Sequence, residues 1–297
     1  MLAAVVGGCG LGAGPGTTNA GVTVTRDFGS VPIGSYLQKR VPGAETVMQM
    51  LERHFAISTQ YGGGFVQSID RQVGGPAHRD WFYFVNGILA PKGAAVTAVH
   101  AGDRIWWDLH DWSATDSVPA VVGSFPEPFR HGVGGKRLPT VLACANPAGR
   151  ACDLAGAALR RAGVPFADQL LGGGSGSDSL AVVVGTWAQL QGVIAAELVA
   201  AGPRASGVFA RFAGSGGSAL ELLDPTGRIV RTLHAAAGLI AATQQPSLGQ
   251  PTWLVTGTDA AGVSAAAAAL TPARLRDHFA LAVAGGQDMP LPVLPSR

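Results

Sequence analysis

The chain has 297 residues, of which 13% are charged, and a formal net charge of +2. That balance excludes a basic surface for nucleic acid and a polybasic membrane patch, and no run of about 18 apolar residues offers a membrane-spanning helix. The length allows two domains with a core each. Arg greatly outnumbers Lys, which occurs only at Lys39, Lys92 and Lys136, while Ala and Gly abound. This is the signature of a GC-rich genome rather than of a function.

A short apolar run, Leu2 to Val6, leads into Val6-Gly7-Gly8-Cys9 and a Gly-rich stretch that ends near Gly21. The order resembles a bacterial lipobox. The resemblance implies cleavage before Cys9, lipidation of that cysteine and an extracytoplasmic protein held to the cell membrane by its lipid anchor alone. Met1 to Gly8 carries no Lys or Arg, although a secretory signal needs a positively charged start and a longer apolar segment. The true start of the reading frame is therefore expected upstream. A short disordered tail with a chance cysteine is the other reading.

From Val22 the chain alternates as a strand, VTVTRDF, and Thr46 to Phe55 then sets Val47, Met50, Leu51 and His54 on one helical face. After Tyr61-Gly62-Gly63-Gly64 come two strand-like runs, FVQSID and WFYFVNG. The second ends in Asn86-Gly87, a pair that tolerates positive φ at both turn positions. Ala101-Gly102-Asp103 turns the chain into RIWWDLHDW, an alternating aromatic strand. Residues 22–115 thus read β, α, β, β, β. Residues 116–138 hold several Pro and Gly without periodicity and are expected to be a linker, ordered or partly so.

Residues 139–297 contain apolar, β-branched runs of strand length, PTVLAC, LAVVVGTW, ASGVFARF, ALELLD and PTWLVTGT. Alanine-rich helical segments lie at Asp153 to Arg161 and Ala260 to Leu270. This predicts an α/β domain with a mostly buried sheet. AVVVGTWAQLQGVIAAEL and TWLVTGTDAAGVSAAAAAL look alike, either as an internal β-α repeat or as two ordinary β-α units. Cys144 and Cys152 flank an Asn-Pro turn. They read as a local disulfide, suited to an exported protein, or as two buried thiols; no metal site is expected of them.

Four features between Val22 and Trp112 resemble the transcobalamin-like C-terminal domain, a family also named DUF4430. They are the helix with VMQMLE, the entry GGGFVQSID, the strand and turn WFYFVNG, and the closing AGDRIWWDL. The resemblance covers about a third of the chain and implies a β-grasp-like domain, one helix on a mixed sheet, giving an α+β protein overall. In the animal cobalamin carriers this domain caps a corrinoid held against a helical domain, and no helical partner is legible here. The α/β half would have to serve as that partner, or the ligand is another molecule.

A corrinoid is a flat apolar ring rimmed with amides, and calls for aromatic faces with polar edges. Trp81, Tyr83, Asn86, Trp106, Trp107, His110 and Trp112 are the candidate ligand-binding residues. Alternation puts Trp106 and Trp107 on opposite faces of one strand, so that either one is exposed for recognition or one lies in the core and the other under the linker. His110 shares a face with Asp108 and Trp106 and reads as a cobalt ligand or as a solvated strand end. GGGSGSDS (172–179) lacks the Lys-Ser/Thr of a phosphate loop and reads as a flexible loop, and Asp224 reads as a turn residue. No nucleophile, paired-carboxylate or metal motif is visible.

The expectation is a non-enzymatic surface lipoprotein that captures a small ligand, with a corrinoid as the first candidate, for a membrane importer, without a resident cofactor or metal and without nucleic acid. It predicts a cleft between the two halves. The alternative, a cell-envelope module binding a protein or glycan, predicts exposed aromatics on a flat or convex surface. Convergence of Asp108, His110 and His131 in a cleft would revive an enzyme.

Overall fold

The computed structural model describes residues 18–75, 78–172, 174–245 and 249–295; Cys9 lies outside them. The N-terminal half contains β1 (Ala20–Arg26), β2 (Val31–Gln38), α1 (Val47–His54), β3 (Ile57–Gln60), β4 (Phe65–Ile69), β5 (Gln72–Val73), β6 (Arg79–Val85), β7 (Ile88–Leu89) and β8 (Arg104–Asp111). β1 and β8, the first and last of these strands, pair in parallel inside a sheet of order β2-β1-β8-β6-β7, while β3, β4 and β5 form a small separate sheet. The sheet with α1 across one face is the β-grasp arrangement.

α1 starts at a capping box: the Thr46 hydroxyl accepts from the Gln49 N–H and the Gln49 side chain accepts from the Thr46 N–H. Its apolar face, Val47, Met48, Met50 and Leu51, meets the inward residues of the sheet, Val22, Val24, Trp81, Tyr83, Ile105, Trp107 and Leu109. β2 was not legible as a strand. A bulge between Val24 and Thr25, with Pro32 and Gly34, interrupts the alternation that would have revealed it. The Asn86-Gly87 turn has positive φ at both residues, as its sequence requires.

The C-terminal half contains β9 (Thr140–Cys144), α2 (Arg150–Arg161), β10 (Ala167–Gln169), β11 (Leu180–Thr186), α3 (Ile194–Ala200), α4 (Pro203–Ser206), β12 (Ala210–Ala213), β13 (Ala219–Leu223), β14 (Ile229–Leu233), β15 (Gly238–Thr243), β16 (Thr252–Gly257), α5 (Ala260–Ala269), α6 (Pro272–Leu275), β17 (Ala280–Ala284) and β18 (Gln287–Leu291). Seven of its strands form one sheet, β10-β9-β11-β16-β15-β17-β18. It is parallel from β10 to β16 and antiparallel beyond. α2 and α5 pack on one face around Trp253, and α3 with the β12-β13-β14 sheet packs on the other. The look-alike segments become neighbouring parallel strands, β11 and β16. The helices after them, α3 and α5, belong to the cores on opposite faces of that sheet. No helix among the described residues is long and apolar enough to cross a membrane.

Residues 116–138 are the ordered form of the expected linker and pack between the halves. Val121, Val122 and Phe129 are fully buried. The Val121 N–H donates to Gly87 in the first half and the Val122 N–H to Phe279 in the second. Irregular backbone whose polar groups are satisfied by both neighbours shows no periodicity in sequence yet packs as core. One apolar cluster therefore runs through the junction, joining Phe28, Phe84, Trp106, Val118 and Val121 to Phe209, Leu239 and Phe279.

Two glycines allow this close approach. A Cβ on Gly29, where φ is +83°, would lie 1.8 Å from the Asp277 carbonyl oxygen, and one on Gly123 would lie 2.7 Å from the Trp106 ring. Elsewhere Cys144 and Cys152 form a disulfide, with Cα atoms 5.9 Å apart, between the end of β9 and the first turn of α2. Gly29→Ala is expected to lower stability by about 2 kcal/mol or more, from strain and overpacking, read as a lower urea midpoint. Replacing both Cys144 and Cys152 by Ser is expected to cost about 2–3 kcal/mol by the chain-entropy model, and wild-type protein under reductant should show the same midpoint.

Candidate functional site: a cleft between the two halves

Alternation along β8 sends Ile105, Trp107 and Leu109 to the α1 side, and Trp106, Asp108 and His110 to the opposite, outer face. The C-terminal half covers that outer face along β8 and β6. Trp106 and Trp107 are each 3% exposed, so neither offers an open aromatic surface. Trp107 stacks on Tyr83 in the β-grasp core at 4.7 Å between ring centroids, and Trp106 meets Phe279 of the other half edge-on at 5.2 Å. The second arrangement weighed from the sequence is the one adopted, with the C-terminal half joining the 116–138 segment as the cover.

The remaining candidate ligand-binding residues are occupied by the fold. The Trp81 indole donates to the Gln72 carbonyl, and the Tyr83 hydroxyl to the Lys92 carbonyl. The Asn86 amide donates to Asp103 and to the Gly132 carbonyl while accepting from the Arg104 N–H, so it holds the turn. Half-buried Trp112 donates to Asp80. A single surface made of these aromatics, as the sequence suggested, is not what they form. Large aromatic side chains gain most by burial, and here core packing claims them.

His110 is 2% exposed, not a solvated strand end. Its Nδ1 lies 2.9 Å from Asp108 Oδ1, and its ring packs on Phe28, Phe82 and Phe279. Asp108 also accepts from the Thr25 hydroxyl and from the N–H groups of Phe28 and Gly29, and the Trp106 indole donates to Thr25. Enclosed in this way, His110 reaches a cobalt ion only if the halves part. His131 bonds Glu127 instead, so Asp108, His110 and His131 do not form one open constellation. No group of three or more His, Cys, Asp or Glu suited to a metal ion occurs among the described residues.

The coverage is incomplete, and its edge is the candidate site. Where the outer face passes from β8 to β1 and β2 it floors a cleft of about 670 Å³, walled by Gly123–Phe125 and by Pro272, Arg276 and Asp277. Gly21, Thr23 and Ser35 keep the floor low, and the Thr23 and Ser35 hydroxyls hydrogen-bond at 3.1 Å. Trp106 borders it from below, and exposed Arg104 and Arg276 enter it from the two halves. A concave cleft of this size is in the range of small-molecule sites, and its lining is about as polar as apolar, with Thr23, Ser35, Ser124, Arg104, Arg276 and Asp277 among its residues. Of these residues only Trp106 was singled out from sequence. Arg104 could have been, since it precedes Trp106 by two on the same strand face. Nothing in the sequence placed residues 272–277 beside it.

A second hollow, about 660 Å³, lies beside the start of α1. It is shallow and open, and its buried carboxylate, Glu45, is already paired with Arg53 and Gln38.

Burial pushes the Asp277 carboxyl above the usual carboxylate range; neighbouring Arg276 partly offsets this and the Asp108 charge adds to it. The folded state thus holds this proton more tightly than the unfolded chain, and stability falls as pH rises from the unfolded value through the folded one. Asp277→Asn is expected to raise the urea midpoint at pH 7, with the gain vanishing below about pH 4.

No curated protein matches the chain. Among solved structures it is similar to a candidate metal binding protein from Ruminococcus gnavus ATCC 29149, with 18% identity over 32% of this chain and 97% of that one. The TM-score is 0.26, too low to carry an argument. Residues 44–111, from the approach to α1 to the end of β8, match the family model described as a domain of unknown function, DUF4430, which is the family that the N-terminal motifs resemble.

Proposed function

We propose that the protein is a non-catalytic binding protein that captures a small ligand in the cleft between its two halves. The cleft carries this reading: a concave site of about 670 Å³ with a low floor and polar rim, built by both halves together. Its floor of Gly21, Thr23 and Ser35, with apolar Leu37 exposed beside them, suits a flat ligand lying against the sheet, and a corrinoid offers such a face with amides at its edge. The buried state of the candidate aromatics speaks against an exposed aromatic surface for a protein or glycan. The Cys144–Cys152 disulfide supports an oxidising, extracytoplasmic compartment. Lipidation at Cys9 and delivery of the ligand to a membrane importer complete the proposal.

The test is calorimetric titration of the purified protein with cyanocobalamin and with hydroxocobalamin. Saturable 1:1 binding, micromolar or tighter, is expected, and Ser35→Trp, which fills the floor from an exposed position, is expected to weaken it by roughly tenfold or more, about 1.4 kcal/mol. Silence with both corrinoids in folded protein would overturn the corrinoid reading.

A further inference from the structure

We propose that the ligand of this cleft carries an anionic group, a carboxylate or a phosphate, which Arg104 and Arg276 hold from the two halves; the proposal rests on the small-ligand reading of the same site. The observation behind it is the place of two arginines, one from each half, in a single cleft. Six arginines are ion-paired, Arg26 and Arg79 with Asp27, Arg53 with Glu45, Arg204 with Asp116, Arg211 with Glu221 and Arg274 with Asp288. Exposed Arg40, Arg161 and Arg231 make no ion pair among the described residues; what sets Arg104 and Arg276 apart is their shared cleft. Arg104 and Arg276 are exposed and line one cleft. Their guanidinium groups make no hydrogen bond or ion pair among the described residues.

The sole acidic residue lining the cleft is Asp277, next to Arg276 in the chain. Burial raises its carboxyl above the usual range, and one carboxyl group stands against two guanidinium groups. In a chain whose charges nearly cancel overall, a local positive excess at a concave site favours an anionic partner. Guanidinium is also the side chain whose planar fork matches carboxylate and phosphate.

The experiment titrates inorganic phosphate and citrate into the wild-type protein, Arg104→Gln, Arg276→Gln and the double variant. Intrinsic tryptophan fluorescence is the readout, since Trp106 borders the cleft. Saturation of the wild type in the millimolar range is expected with at least one anion. Each single variant should bind roughly fivefold more weakly, and the double variant should lose the response. Asp277→Asn should bind more tightly. Preference for phosphate or for citrate identifies the source of the charge. Equal binding by wild type and double variant, or no response to either anion up to about 50 mM, would overturn the proposal. Cyanocobalamin titrated into the same proteins separates the two claims. Binding that ignores both arginines leaves the cleft standing and removes the anionic group, whereas arginine-dependent anion binding beside silence with cobalamin keeps the anionic group and removes the corrinoid.

Discussion

Burying a carboxylate costs several kcal/mol unless hydrogen bonds replace its water, and the junction between the halves is built around one that meets this condition. Asp108 accepts from Thr25 on the neighbouring strand, from two backbone N–H groups at Phe28 and Gly29, and lies within bonding distance of His110. Those partners fix the turn after β1 against the end of β8. The turn in turn presents Phe28 to Phe209 and Phe279 of the other half. Remove the carboxylate and its donors lose their acceptor in a place water does not reach. The junction is therefore polar at its centre and apolar around it, an arrangement that specifies one docking of the halves.

The same face explains why a cleft exists. The C-terminal half reaches across β8 and β6, where large aromatic residues point outward, and stops where the outward residues become Gly21, Thr23 and Ser35, with exposed Leu37 at the edge. Aromatic side chains reward coverage with buried apolar area; glycine and hydroxyl residues do not, and their polar groups bond each other across β1 and β2. A change of side-chain character along one sheet face thus divides it into a docked part and an open floor.

How far the sequence could be read follows from the same physics. Strict alternation in RIWWDLHD carried the two-faced character of β8, and the helix, Asn-Gly turn and closing motif of the N-terminal half were legible because each is a local signal. β2 was not, since its bulge, Pro32 and Gly34 erase the period. Residues 116–138 read as a linker, ordered or partly so, and the structure shows them ordered and packed; composition reports irregular backbone without reporting what it packs against. Trp81, Tyr83 and Trp107 drew attention as a ligand surface although the pattern was equally that of a core. Only the placement of the C-terminal half could decide for Trp106. The cleft itself joins Thr23, Ser35 and Arg104 to Arg276, a contact between distant stretches of chain with no local signature.

The continuity of the core through the junction bears on how such a cleft would work. Hinged binding proteins close around a ligand because their lobes share little buried surface. Here Phe28, Phe84, Trp106 and Val121 share one apolar cluster with Leu239 and Phe279, and parting the halves would expose those side chains and the Asp108 network together. Each large apolar side chain returned to water costs about 1.5–3 kcal/mol, so wide opening carries a cost that the shared core opposes. The cleft is preformed, and a ligand that enters it meets walls already set. Affinity then depends on shape and charge at the rim, not on the energy of closure, which places the burden of specificity on the floor and on the two arginines above it.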